Sequence, residues 1–195
     1  MSPRSPQQIE SIRAKSKQRI LDAAFELMAR NGYESTSISQ IAAKANISKG
    51  LLYNYFKSKE DVLETLVYTA FSEGDKLMSE IIATEPEETL KNLFKWYFNE
   101  LRERPELWKL ITALSLQVDR FQFLREMVNK KMYEYAEFIG DLLQKQGIDN
   151  PKDEAILIGA LFDGIGLQYI ILRDDYPLDE MERFLINKYC NRKIK

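Results

Sequence analysis

Residues 38–59, ISQIAAKANISKGLLYNYFKSK, decide the fold, because two short helical patterns meet there across a tight polar turn. Ile38, Ile41, Ala42 and Ala45 recur at helical spacing, and Ser37 with Gln40 three residues later has the form of a capping box. Asn46 stands where the chain must turn through the left-handed conformation that Asn and Gly tolerate. Ser48 then caps a second helix that turns Leu52, Tyr55 and Phe56 inward. So short a turn forces the helices to cross sharply. That geometry lets a second helix enter a major groove while the first braces across the backbone, so the segment reads as a helix-turn-helix.

Outward from this stretch the pattern stays helical. Ser16 to Arg30 carries Ile20, Leu21, Ala24, Leu27 and Met28 on one stripe, stopped by Asn31-Gly32. Ser58 with Asp61 starts a helix running to about Ala83, which joins this segment to the remainder of the chain. Pro86, Pro105, Phe121, Asn150-Pro151 and Pro177 mark five further starts, and Gly147 ends the helix from Phe121. No stretch alternates like a strand. The expectation is an all-α protein of about nine helices: a mobile basic arm over 1–15, a three-helix DNA-binding domain over 16–60, and an all-helical remainder over 61–195.

Charge divides along the same line. The chain of 195 residues has a net charge of −2, yet through residue 60 ten bases face five acids, and thereafter 18 bases face 25 acids. A head of +5 on a body of −7 suits a phosphate backbone met by one face only. Chance variation among solvated faces is the competing reading. The single cysteine, Cys190, forms no internal disulfide, and without histidine the chain offers no metal set and little general acid–base chemistry. No cofactor and no enzyme activity are expected. The first eighteen residues have bases but no apolar run, so neither a secretory signal nor a membrane anchor is expected, and the compartment is read as the cytoplasm. Ala155 to Leu172 approaches a membrane span in apolar content, but Asp163, Gln168 and three glycines favour a buried helix.

The run ILDAAFELMARNGYESTSISQIAAKANISKGLLYNYFKSKEDVLETL resembles the TetR family of transcriptional regulators from its first helix into its fourth. Two positions depart from the family pattern: Asn46 stands where Gly is commonest, and Leu51 where a small hydroxyl residue is frequent. The resemblance implies DNA contacts by Ser37, Ser39 and Gln40 at the start of the bracing helix, and by Ser48, Lys49, Gly50, Leu51, Tyr53, Asn54 and Tyr55 along the recognition helix. Lys59 is expected to meet a phosphate. Lys49 suits guanine, Asn54 adenine, and Leu51 a thymine methyl group. Leu52 and Phe56 are read as core, and Tyr55 stands between the two roles.

In such proteins the last two long helices form a four-helix bundle across a homodimer axis, which makes Leu161, Ile165, Gln168, Tyr169, Leu172, Met181 and Leu185 the interface candidates. Within 61–195, which the resemblance makes the ligand-binding and dimerisation domain, candidates for the ligand are Trp96, Phe98, Trp108, Phe121, Phe123, Met127, Tyr133, Phe162 and Asp163, with core packing the favoured reading for each. The function implied is a homodimeric regulator, a repressor by family habit, released from a palindromic operator by a small-molecule inducer. The alternative replaces the inducer with a protein partner.

Overall fold

The computed structural model describes residues 5–82 and 86–190, with residues 77, 82, 86 and 87 described by their backbone alone. Residues 1–4, 83–85 and 191–195, and with them part of the expected arm and the expected end of the fourth helix at Ala83, lie outside the described residues. Nine α-helices and no strand occur among the described residues. They divide into two compact units, Met1–Ser72 and Glu73–Lys195.

The first unit holds α1 (Pro6–Asn31), α2 (Ile38–Lys44), α3 (Lys49–Tyr53) and the start of α4 (Lys59–Ile82). The arm expected over residues 1–15 is helical from Pro6. Ser5 accepts from the Gln8 amide and Gln8 returns a bond to Ser5, a complete capping box with proline at the first helical position. Burial begins only at Ile20, so the first turns of α1 are helix without a core beneath them. Ile20, Ala24, Met28, Ile41, Leu52, Phe56, Val62 and Leu63 supply the buried apolar surface of this unit. Gly32, at φ 83°, returns its N–H to Met28 and ends α1 where the Asn-Gly pair predicts. Ser58 accepts from the Asp61 amide at 3.0 Å, and the Asp61 carboxylate accepts from the Lys57 amide at 2.7 Å, so α4 starts where its cap predicts.

The second unit contains α5 (Pro86–Glu103), α6 (Pro105–Ser115), α7 (Gln122–Lys145), α8 (Pro151–Leu172) and α9 (Leu178–Cys190), with a 3-10 turn at Arg173–Asp175. α8 packs along α7 and against α5 and α6, while α9 lies along α5. The core gathers Leu90, Phe94, Tyr97, Phe98 and Leu101 of α5 with Leu143, Ile158, Ile165, Leu185 and Tyr189. Tyr97 stacks on Phe162 at 4.0 Å between ring centroids, nearly parallel, and Trp108 meets Tyr97 edge-on at 5.5 Å. The Tyr97 hydroxyl donates to the Phe162 carbonyl, and burial with Asp163 nearby pushes its pKa upward, so it stays a neutral donor. Arg102 of α5 donates to Asp179 and Glu182 of α9, and Arg173 reaches Glu106 of α6 at 3.0 Å.

α8 is long and apolar enough to cross a membrane, yet its two sides differ. Ala155, Ile158, Ile165 and Gly166 face the core, whereas Ile156, Leu157, Leu167, Ile171 and Leu172 are exposed in the single chain. The helix expected to be buried is therefore covered by its own chain on one side only. Among the described glycines Gly166 allows the closest approach, since a Cβ there would stand 3.0 Å from the Tyr97 hydroxyl oxygen.

Gly166→Ala is expected to lower stability in urea unfolding, with overpacking of about 1–3 kcal/mol set against a helix-propensity gain of about 1 kcal/mol. In a Tyr97→Phe background the penalty shrinks, because the oxygen that the new methyl meets is gone. An equal penalty in both backgrounds would place the strain elsewhere.

Candidate functional site

α3 has five residues, too few to hold helical form by backbone bonding alone, so its surroundings must fix it. Ser37 and Gln40 form the reciprocal capping box of α2, with Gln40 N to Ser37 Oγ at 3.2 Å and Ser37 N to Gln40 Oε1 at 2.7 Å. At the other end Asn46, φ 54°, donates to the Ala43 carbonyl and Ile47 to that of Ala42, the paired bonds of a Schellman motif. Arg19 of α1 donates to the carbonyls of Ala45 and Asn46, tying the turn to the first helix. Ser48 then accepts from the Leu51 amide at 3.1 Å and starts α3.

The result is a helix with two distinct faces. Leu52 and Phe56 are buried, as their spacing predicts. Lys49, Gly50 and Asn54 are exposed, together with Leu51 at 38% and Tyr53 at 48%, so two large apolar or aromatic groups stand in water beside a cation and an amide. Such a mixture matches base edges, which present methyl groups and hydrogen-bonding atoms together. Ser37, Ser39, Gln40 and Ser48 are exposed as well. Tyr55 is half-buried, with the Arg13 guanidinium 5.7 Å from its ring centroid.

Lys59 is tied into the fold. Its ammonium donates to the Tyr33 carbonyl at 2.7 Å and the Glu34 carbonyl at 3.4 Å, and lies 4.0 Å from the Tyr33 ring centroid. Those groups hold it to the loop between α1 and α2 and fix that loop against the start of α4. Sequence could not show this hold on Lys59 at the start of α4, because the carbonyls it meets come from residues 25 and 26 positions earlier.

In the second unit the ligand candidates separate. Trp96, Phe98, Trp108 and Phe162 join one aromatic core, with Phe98 fully buried although its place off the main stripe suggests otherwise. The indole N–H groups of Trp96 and Trp108 are buried without an acceptor. Phe121 and Phe123 lie 5.9 Å apart at the start of α7, where Phe121 and Met127 are buried. Tyr133 is 79% exposed on α7 and lines no interior. Asp163 is exposed, and desolvation by its surroundings raises its carboxyl above the ordinary carboxylate value. Burial likewise pushes the Cys190 thiol up to about 11, leaving it protonated at neutral pH.

Of the interface candidates, Ile165 (7% exposed) and Leu185 (4%) are core residues of their own chain, and Leu161, Tyr169 and Met181 pack partly against that core. A helix apolar on every side has no phase by which sequence could separate inner from outer residues. Gln168 and Leu172 are exposed, on a surface that also presents Ile156, Leu157, Leu167 and Ile171, and Phe184 of α9 is exposed too. Exposed apolar side chains that recur along one helix mark a surface built for contact.

The family model described as bacterial regulatory proteins, tetR family, matches residues 20–66, and that of the BetI-type transcriptional repressor C-terminal domain matches residues 86–189. The chain is 28% identical over 152 residues to the fatty acid metabolism regulator protein of Bacillus subtilis, covering 73% of this chain and 77% of that protein. Its fold is shared by the Bacillus subtilis transcriptional regulator FadR solved with stearoyl-CoA, at TM-score 0.74 and 23% identity over 89% of this chain and 97% of that one. It is shared too by a Saccharomonospora viridis transcriptional regulator solved with choline, at TM-score 0.78 and 24% identity over 90% and 97%.

Lys59→Met is expected to destabilise the first unit by about 1–3 kcal/mol, since it leaves carbonyls without their charged donor. DNA affinity falls with it, while the slope of log affinity against log salt stays the same. A slope lowered by about 0.9 per protomer would instead give Lys59 a phosphate.

Proposed function

The chain belongs to the TetR family of bacterial transcriptional regulators, and from that membership we propose that it is a homodimeric repressor, released from a palindromic operator by a small ligand of acyl type. The observation that carries the reading is the two-faced α3, with Leu52 and Phe56 buried and Lys49, Gly50, Leu51, Tyr53 and Asn54 offered outward from a braced turn. Ser37, Ser39, Gln40 and Ser48 stand at the two helix starts, where hydroxyl and backbone N–H groups meet phosphates and set register.

Dimerisation is supported by the outer face of α8. Ile156, Leu157, Leu167, Ile171 and Leu172, with Phe184 of α9, form an apolar surface that a second copy would cover isologously, and a two-fold pair of readers matches a palindrome. This face keeps Leu172 and Gln168 of the expected set and leaves Ile165 and Leu185 to the core of their own chain.

For the ligand, the interior of the second unit is aromatic and apolar, and the buried indole N–H groups of Trp96 and Trp108 are donors that a carbonyl-bearing chain would satisfy. A choline-sized cation is less well matched, because the carboxylate beside Phe162 belongs to the exposed Asp163. The similar Bacillus subtilis regulator takes its name from fatty acid metabolism, which fits the same class. Release requires that the ligand bind the DNA-incompetent state more tightly, since equal affinity shifts nothing.

Selection of bound duplexes from a random pool is expected to return a palindrome, with footprint protection lost in Lys49→Ala/Tyr53→Ala. Stearoyl-CoA releases that duplex and choline does not; the reverse would move the ligand to the cationic class. Leu167→Asp/Ile171→Asp sediments as a folded monomer and loses the palindrome, whereas a dimer retained in that variant would put the axis on another face.

A further inference from the structure

The positive charges of the first unit divide into those occupied within it and those left over. Arg19 is bonded to the carbonyls of Ala45 and Asn46, Lys44 is paired with Glu26, and Lys59 is held by the carbonyls of Tyr33 and Glu34. Arg13, Lys15, Lys17, Arg30, Lys49 and Lys57 have no carboxylate paired with them among the described residues, and all six are exposed. Four of these six come from α1, and two of them, Arg13 and Lys17, stand four residues apart and so on one face of the helix. The Arg13 guanidinium lies 5.7 Å from the Tyr55 ring centroid, and the Lys17 ammonium 5.6 Å from that of Phe56.

Tyr55 and Phe56 follow directly on the exposed Tyr53 and Asn54, so α1 delivers two cations to the end of α3 opposite Lys49. A cation held over a ring face keeps its N–H donors, and a guanidinium keeps five, in the planar fork that matches a phosphate. The rings thus position the charges without consuming them. Glu10, one turn earlier on the same stripe, closes the basic segment on the other side.

We propose that Arg13 and Lys17 bind the DNA backbone, so that α1 extends the interface beyond α2 and α3 and grips the phosphates flanking the bases that α3 reads. The inference rests on DNA binding by the first unit and not on repression, dimer geometry or ligand. Both contacts are independent of sequence, so they add affinity and salt dependence without altering base preference.

The test uses the full chain and compares binding to its selected duplex and to random duplex over a series of salt concentrations. With about 0.9 in slope per phosphate contact, Arg13→Gln/Lys17→Gln is expected to lower the slope by about 2 per bound protomer on both duplexes. The selected sequence is unchanged. Arg13→Lys/Lys17→Arg, which keeps both charges, holds the slope, and Lys15→Gln, on another side of α1, leaves it unchanged. An unaltered slope in the double Gln variant overturns the proposal even if affinity falls, because a ring-packing role would cost affinity without releasing counterions. An equal drop in Lys15→Gln overturns it as well, in favour of diffuse charge. Failure of the wild-type chain to select any sequence removes the reader itself, an outcome separable from these.

Discussion

The left-handed turn at Asn46 is the constraint on which the reading head depends. It reverses the chain between a seven-residue helix and a five-residue one, neither of which is stable alone in water. Two backbone bonds close the turn from inside, Arg19 fixes it from α1, and Ser48 starts the next helix as soon as it ends. Burial of Leu52 and Phe56 then sets the rotation of α3, which decides that Lys49, Tyr53 and Asn54 face outward. Had Asn46 been β-branched, the φ of 54° would have been strained and the crossing of the helices would have changed.

The second unit solves a different problem, that of an over-apolar helix. α8 has enough apolar surface for two partners, and its own chain supplies one. Tyr97 fixes the inner side by stacking on Phe162 and donating to its carbonyl, an approach that depends on the missing side chain at Gly166. The outer side, from Ile156 to Leu172, is then left facing away from the core as one continuous surface. Rigidity inside and an unsatisfied face outside arise from the same helix.

What could be read beforehand follows the range of the interactions. Ser37 with Gln40, Asn31-Gly32, Asn46, Ser58 with Asp61, and the prolines that open α5, α6 and α8 act within a few residues, and each stands where its chemistry predicts. The start of α1 was equally local but hidden, because Ser5-Pro6 followed by Gln8 lies in a polar stretch with no apolar stripe to announce a helix. Long-range properties were not legible. Lys59 is occupied by carbonyls from another loop, Phe98 is swept into the core by the close approach of α5 to its neighbours, and Tyr133 is an aromatic left on the surface. Ile165 points inward because packing, not pattern, sets the rotation of the all-apolar α8, and Leu185 of α9 is buried in the same core.

Charge joins these observations. A count of bases through residue 60 gives a positive head, but the count treats Arg19, Lys44 and Lys59 as equal to Arg13, Lys17 and Lys49. The structure separates them: the first three are neutralised or hydrogen-bonded within the fold, and the last three remain exposed without carboxylate partners. Uncompensated like charges repel one another and cost a small unit stability, so their concentration around one five-residue helix is a burden for an isolated fold. A phosphate backbone converts that burden into attraction, and the occupied cations then serve by holding the turn and loop that keep the free ones in place.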